Sequence, residues 1–183
     1  MKIGILLGDD IGLEVVPECV KVMKAAASRS GLTIDWRPLP IGKRGHEEHG
    51  DTLPAVTEQA LRGLDGWVCG PIGHATYPRN DPTWVMPPIR KKYELFAAIR
   101  PSLSHSNLKS IHNNVDIVFV RELTEGMLYS ETVVAGAPEF RPNDDITIAM
   151  RVITRKGSNR VAREAFEIAR TRERKKVTAA HKE

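Results

Sequence analysis

Short apolar runs alternate with longer amphipathic stretches along the first seventy residues. "KIGILLGDD" is an apolar run stopped by Gly8, Asp9 and Asp10. Uninterrupted runs of this length are the pattern of a strand buried on both faces of a parallel sheet. In "IGLEVVPECVKVMKAAA", Val16, Cys19, Val20, Met23 and Ala27 recur at helical spacing and form one apolar stripe. Pro17 is tolerated in a helix only near the first turn, so this helix is predicted to start shortly before it. "LTIDWRPL" alternates like a strand, "TLPAVTEQALRGL" has a helical period, and "DGWVCGPIG" is a strand entering a Gly-Pro turn. Strand, helix, strand, helix, strand is the order of an α/β domain with crossover connections.

The second half is less regular. "GHATYPRNDPTWVMPP" is a Pro-rich loop of the kind that carries binding residues on a rigid scaffold. "IRKKYELFAAIRPS" is predicted to be a helix ended by Pro101, and "VDIVFVRE" another buried strand. "ETVVAGAPEF" and "DITIAMRVIT" read as paired strands or an extended arm. "SNRVAREAFEIARTRER" is a helix with Ser158 as its N-cap and Val161, Ala165, Ile168 and Ala169 as its apolar face. Finally "KKVTAAHKE" carries a short apolar run, Val177 to Ala180, that delivers His181 and Lys182 like the end of a strand.

Composition narrows the class. A chain of 183 residues has room for one large or two small domains. No apolar run approaches membrane-spanning length and "MKIGILLGDD" lacks a signal-peptide pattern, so no membrane partner and a cytoplasmic location are expected. Cys19 and Cys69 have neither zinc nor redox spacing and are read as reduced core residues. From Arg151 onward there are 11 Lys and Arg against 4 Asp and Glu, within a total net charge of +4. Few aromatic residues interleave with these cations. They fit a solvated helix face and a cation-favouring helix end, and no nucleic-acid partner is expected.

Strand ends that finish in charge are the informative places, because open α/β sheets bind ligands beyond the carboxyl ends of their strands. "GILLGDD", "DIVFVRE" and "VTAAHK" are three such ends. Four cations stand out: Arg90, Arg100, Arg121 and Lys182. Arginine matches a carboxylate in two-point contact, so several aimed at one pocket imply a substrate with more than one carboxylate. Surface salt bridges are the alternative at this point. "GDDIG" at a strand-helix junction resembles a phosphate-cradling turn but lacks both the G-x-G-x-x-G pattern and a P-loop lysine. "HEEH" at His46 to His49 has the wrong spacing for a helical zinc site and reads as a solvated loop.

Together these pieces resemble the isocitrate/isopropylmalate dehydrogenase family of β-decarboxylating dehydrogenases. "GDDIGLEV" resembles that family's opening turn, and "IRKKYELFAAIRP" its arginine-bearing helix. "DIVFVRELTEG" is similar to its central strand, and "RVAREAFEIARTRERKKVTAAHK" to the helix and strand leading to its lysine. The four follow one another in the family's order.

The resemblance implies an isopropylmalate-dehydrogenase-like fold of two α/β domains, each incomplete in this chain. Residues 1–99 would be the N-terminal half of the large, cofactor-side domain. Residues 100–183 would be the N-terminal half of the small domain that binds substrate and dimerises. It also implies NAD or NADP as hydride acceptor, and Mg²⁺ or Mn²⁺ with ligands in the half that is absent. The substrate would be a small 2-hydroxy dicarboxylic acid, bound by Arg90, Arg100 and Arg121, with Lys182 as general base. Ile11 and the "GPIG" of Gly70, Pro71, Ile72 and Gly73 would lie near the nicotinamide end of the cofactor. A homodimer, or a complementing C-terminal half, is the implied partner.

This sequence departs from the family pattern at several positions. The family's proton-donating tyrosine position is Leu128 here, with Tyr129 one residue later. Asp10 and Leu13 replace the usual Gly and Pro of the opening turn, and Ala98 stands where Asn is common. Trp84 and Met86 occupy positions that isocitrate enzymes fill with Ser and Asn. An apolar Met86 is similar to the isopropylmalate, malate and tartrate branches. The resulting expectation is oxidative decarboxylation of such a 2-hydroxy acid by a chain inactive without its other half. A non-catalytic partner or regulatory homologue is the alternative.

Overall fold

The computed structural model describes residues 1–73, 86–127 and 139–181, with side chains omitted at 86–88. The chain forms two compact units, Met1–Met86 and Pro87–Glu183. The predicted domain division falls later, between Ile99 and Arg100. The unit boundary precedes it because the strand bearing Arg100 pairs along its whole length with a strand of the second unit.

Unit 1 begins with β1 (Lys2–Leu6), whose apolar residues fill the centre of the sheet. α1 (Gly12–Arg29) follows. Its first turn is closed by backbone bonds from Gly12 N to Asp9 O (2.8 Å) and Leu13 N to Asp10 O (3.1 Å). Val16, Val20 and Ala27 of the predicted stripe are buried, Met23 is half-buried, and Cys19 is exposed on the helix's outer side. Cys19 is therefore not a core residue: its position on the helix turns it away from the sheet. Pro17 lies inside α1, more than one turn past its start.

Next come β2 (Asp35–Pro38), α2 (Gly42–His49), α3 (Ala55–Leu61) and β3 (Gly66–Cys69). The three strands are parallel in the order β2-β1-β3. The "HEEH" segment is helical rather than a loop, closing α2 against Gly50 in the left-handed region, and all four residues are solvent-exposed. Ile41, Leu61 and Ile72 complete the core around Ile3 and Leu6. Thr57, fully buried, gives its hydroxyl to Pro40 O at 2.6 Å and so leaves no unpaired donor there.

α4 (Met86–Lys92) ends before Glu94, whose φ of 49° lies in the left-handed region. The predicted helix to Pro101 is thus two elements, because the chain turns at Glu94 and enters β4 (Ala97–Leu103). β4 pairs antiparallel with β5 (Asp116–Glu122) and with no other described strand. Pro101, which lacks an N–H, is accommodated because β4 has a free edge. β5 itself is half-buried at best, not the buried strand expected. A second antiparallel pair joins β6 (Glu139–Asn143) to β7 (Ile146–Ala149); the expected partner segment from Glu131 lies outside the described residues up to 138, and β6 shares only Glu139 and Phe140 with it.

α5 (Arg155–Arg170) packs on β5. Its N-cap is Thr154, not Ser158: the Thr154 hydroxyl accepts from Gly157 N at 3.0 Å. Val177 to His181 forms no strand among the described residues, because no strand pairs with it there. No helix of the described residues is long and apolar enough to cross a membrane.

Candidate functional site

In unit 1 the opening turn and the "GPIG" loop meet at the carboxyl ends of β1 and β3. Asp9 is the joint. It is 4% exposed. Its backbone N–H donates to Pro71 O at 2.7 Å. Its carboxylate accepts from Gly73 N at 2.8 Å and from Lys43 N, in the first turn of α2, at 2.7 Å. One side chain therefore pins three segments. The space left is small: a Cβ at Gly70 would sit 2.0 Å from Leu7 O, and one at Gly42 (φ 67°) would sit 2.4 Å from Asp9 Oδ1.

This packing decides what the turn can hold. Two of the backbone N–H groups that could cradle a phosphate already bind the Asp9 carboxylate, so the likeness to a phosphate-binding turn does not extend to its chemistry. Outward the region presents Ile11, 53% exposed, and Pro71, beside the exposed Asp10, while Ile72 is buried and Gly73 half-buried. Asp10, the position at which the family resemblance leads one to expect Gly, has a φ of 46°, a conformation that glycine adopts without strain. Asp is one of the few side chains that tolerate the left-handed region. Beside the turn, burial and then the Asp9 charge push the Cys69 thiol up to about 11.

In unit 2 the register of β4 and β5 sorts the arginines. Arg100 lies opposite Phe119 and Ala98 opposite Arg121, so both arginines project from one face as diagonal neighbours. By ladder geometry their backbones stand about 7–8 Å apart. Both are exposed, and neither has an acidic partner among the described residues. Phe119 and Ile117 share this face at 57% and 43% exposure. Arg90 sits half-buried on α4 of the same unit. Met86 begins α4, while Lys182 and Tyr129 lie outside the described residues.

The opposite face of β5 explains why the arginine face stays open. Asp116, Val118, Val120 and Glu122 alternate onto it, and α5 packs there, leaving Val118, Val120 and Glu122 half-buried and Asp116 exposed. Arg172, just past α5, pairs with Asp116 at one end. At the other end Arg160 reaches Glu122 at 2.8 Å, also contacts Thr124 Oγ1, and stacks 4.7 Å over the Phe96 ring. Glu122 accepts further from Thr124 N (2.6 Å), Thr124 Oγ1 (2.6 Å) and Glu125 N (2.8 Å). Burial alone would raise the Glu122 pKa, but these hydrogen bonds outweigh it and hold the carboxyl below its ordinary value. Glu125 in turn accepts from Thr154 N (2.8 Å) and Thr154 Oγ1 (2.5 Å), tying the strand end to the α5 cap.

Sequence reasoning quoted Asp9 only as part of a turn, saw Glu122 and Glu125 only as acids flanking a strand end, and passed over Arg160. A buried acid inside a Gly-rich turn, and a Thr three residues ahead of a helical Gly, were the available signals. Among the described residues no group of three His, Cys, Asp or Glu could hold a metal ion, so these residues do not fit a metal site on their own.

The family model for isocitrate/isopropylmalate dehydrogenase matches residues 2–183. The chain is similar to the 3-isopropylmalate dehydrogenase of Archaeoglobus fulgidus, at 33% identity over 181 residues, 99% of this chain and 50% of that protein. It is similar to the 3-isopropylmalate/3-methylmalate dehydrogenase of Methanocaldococcus jannaschii at 34% identity, covering 99% and 50%. The isocitrate dehydrogenase of Methylococcus capsulatus superposes with a TM-score of 0.75 at 30% identity, over 93% of this chain and 48% of that one. The chain spans about half the length of the curated relatives it matches. The Asp9 turn, the arginine strand and the α5 helix all fall inside the matched residues, and the chain belongs to the isocitrate/isopropylmalate dehydrogenase family.

Proposed function

We propose that this chain supplies the N-terminal half of an NAD- or NADP-dependent dehydrogenase that oxidatively decarboxylates a 2-hydroxy dicarboxylic acid. The acid is of the 3-isopropylmalate, malate or tartrate type. One observation carries the reading: Arg100 and Arg121 project from one uncovered face, without an acidic partner among the described residues. Two exposed guanidinium groups on one face offer two-point contacts to the two carboxylates of a dicarboxylate. Arg90, in the same unit, is the third substrate-carboxylate ligand. The names of the relatives support a branched 2-hydroxy acid ahead of the others.

The remaining roles follow the family resemblance. Lys182 is the general base and Tyr129 the candidate proton donor. By the resemblance, Met86 is the position that tells substrates of the family's branches apart. Ile11 and Gly70 to Gly73 form the apolar rim for the nicotinamide ring, in keeping with a turn whose amides are already used by Asp9. Hydride acceptance is what the cofactor supplies when bound. By the resemblance, Mg²⁺ or Mn²⁺ takes its ligands from a further segment, and the chain works with that segment, as a homodimer or a complemented one.

Two measurements test this. Titrating the chain with 3-isopropylmalate, malate and tartrate by isothermal calorimetry should show dicarboxylate binding that Arg121→Ala and Arg100→Ala each weaken by about tenfold. Unchanged binding in both variants removes the arginine roles. The mass-verified 183-residue chain should give no nicotinamide reduction with these acids and Mn²⁺. Robust turnover would overturn the need for a second segment.

A further inference from the structure

Unit 1 contains a cavity of about 470 Å³ that none of the residues of the Asp9 turn or the Gly70–Gly73 loop line. Its walls are apolar: Ile5 and Leu7 from the end of β1 and just beyond, Pro17 and Val20 from α1, Pro38 and Leu39 from the end of β2. Three cations complete the lining, Lys21, Lys24 and Arg44, and no acid does.

We propose that this cavity binds an amphipathic monoanion, a medium-sized apolar body carrying one carboxylate. Its volume falls within the range of about 300–1,000 Å³ typical of small-molecule sites, which combine apolar walls with a few convergent polar groups.

The charges select the head group. Lys21 is held on the solvent side by Glu18 at 3.1 Å, an exposed pair of little strength. Lys24 lies 5.8 Å over the Trp36 ring and has no acidic partner among the described residues. Arg44 gives only its Nε to Glu48, at 2.8 Å, and its terminal nitrogens have no partner among the described residues. One ammonium and one guanidinium edge are thus available at the mouth of an apolar hole. That pairing suits a single carboxylate. A polyanion would leave charge against Leu7 and Val20, and an uncharged apolar molecule would leave the cations unused.

Calorimetry on the whole 183-residue chain tests this with decanoate as probe, and with decanol and acetate as its two separated halves. Decanoate is expected to bind saturably at a single site, about tenfold or more tighter than either half. Lys24→Glu and Arg44→Glu should each lower decanoate affinity by about tenfold, while Lys109→Glu, an exposed cation of the other unit, should not. Circular dichroism melts check that the two exposed-site variants fold. Equal binding of decanol and decanoate, or indifference to both charge reversals, overturns the proposal. So does self-association at high chain concentration that masks Lys24 and Arg44 without any added acid, which would give the cavity to a second copy.

Discussion

The two units are of similar length and stabilise themselves in different ways. Unit 1 surrounds a central parallel strand and buries Ile3, Leu6, Val16, Val20, Ala27, Ile41, Leu61 and Ile72. In unit 2, Ile89 and Ala169 are buried, while Ile99, Leu103, Ile117, Phe119, Ile148 and Phe166 are exposed. Its sheets are two-stranded pairs with open edges among the described residues, and such pairs are marginal in water without a covering layer. What orders unit 2 is a set of polar clamps, Glu122 with Arg160 and Glu125 with Thr154, that fasten α5 to the end of β5. Burial is non-directional and tolerates small shifts, whereas a clamp of charge-assisted bonds fixes one register. A face that must hold two like-charged arginines open to an anion benefits from the second kind of order.

The sharpest way to break this contrast is to remove one large apolar side chain from each unit. Leu6 has no exposed surface, so Leu6→Ala should cost about 3–5 kcal/mol by lost transfer energy and cavity formation. Phe119 is 57% exposed, and Phe119→Ala should change stability by no more than about 0.5 kcal/mol. Urea titrations followed by tryptophan fluorescence for unit 1 and by hydrogen exchange for unit 2 read each separately. Comparable losses from both would mean that Phe119 is covered in solution and that the open face is not open.

The same contrast explains what could be read from the sequence. In unit 1, β1, α1, β2, α3 and β3 were legible because their apolar positions carry the period of a strand or a helix, whether they are buried, as in β1, α1 and α3, or only partly covered, as in β2 and β3. Asp9 was quoted as part of a turn but its role was hidden, since its partners Lys43 and Gly73 are distant in sequence and meet it only through backbone N–H groups. In unit 2 the apolar pattern of "YELFAAI" fits a helix as well as a strand. The break at Glu94 depends on a backbone angle that no pattern announces. Arg100 and Arg121 were picked out by residue type, but their shared face follows from a register that the sequence does not state. The α5 cap was misplaced because Ser158 competes with Thr154, and the Glu125 contact that favours Thr154 is made across 29 positions.

A smaller effect probes the clamp itself. Glu122→Ala leaves the mostly buried Arg160 guanidinium short of a partner and should cost unit 2 about 2 kcal/mol. Acid should act in the same direction. The folded-state pKa of Glu122 lies below its ordinary value, so its contribution is fully present above the ordinary carboxylate range. That contribution is lost as pH falls through about 4 and below. Protection of the α5 amides, each exchange rate taken relative to the intrinsic rate at the same pH, should therefore fall at the acid end. Glu122→Gln, which cannot titrate, should flatten that dependence. A wild-type profile as flat as the variant's would remove the charge from the explanation and leave unit 2 ordered by packing, like unit 1.

The smallest expected effect lies inside unit 1 and asks whether its core is as closed as the contrast requires. Cys19 is exposed on α1, whereas Cys69 ends β3 against the Asp9 turn with its thiol pushed up to about 11. Alkylation proceeds through the thiolate. Near pH 8 a thiol of that pKa carries a thiolate fraction about two orders of magnitude below that of an ordinary thiol. The greater nucleophilicity of a more basic thiolate recovers about one of those orders. Cys69 should then react about tenfold more slowly than an ordinary thiol before access is considered, and more slowly still because its surroundings must part. Iodoacetamide labelling followed by peptide mass spectrometry should find Cys19 modified first by at least that margin. Equal rates would show that the β3 end and the Asp9 turn stand apart most of the time, and unit 1 would then be no more closed than its neighbour.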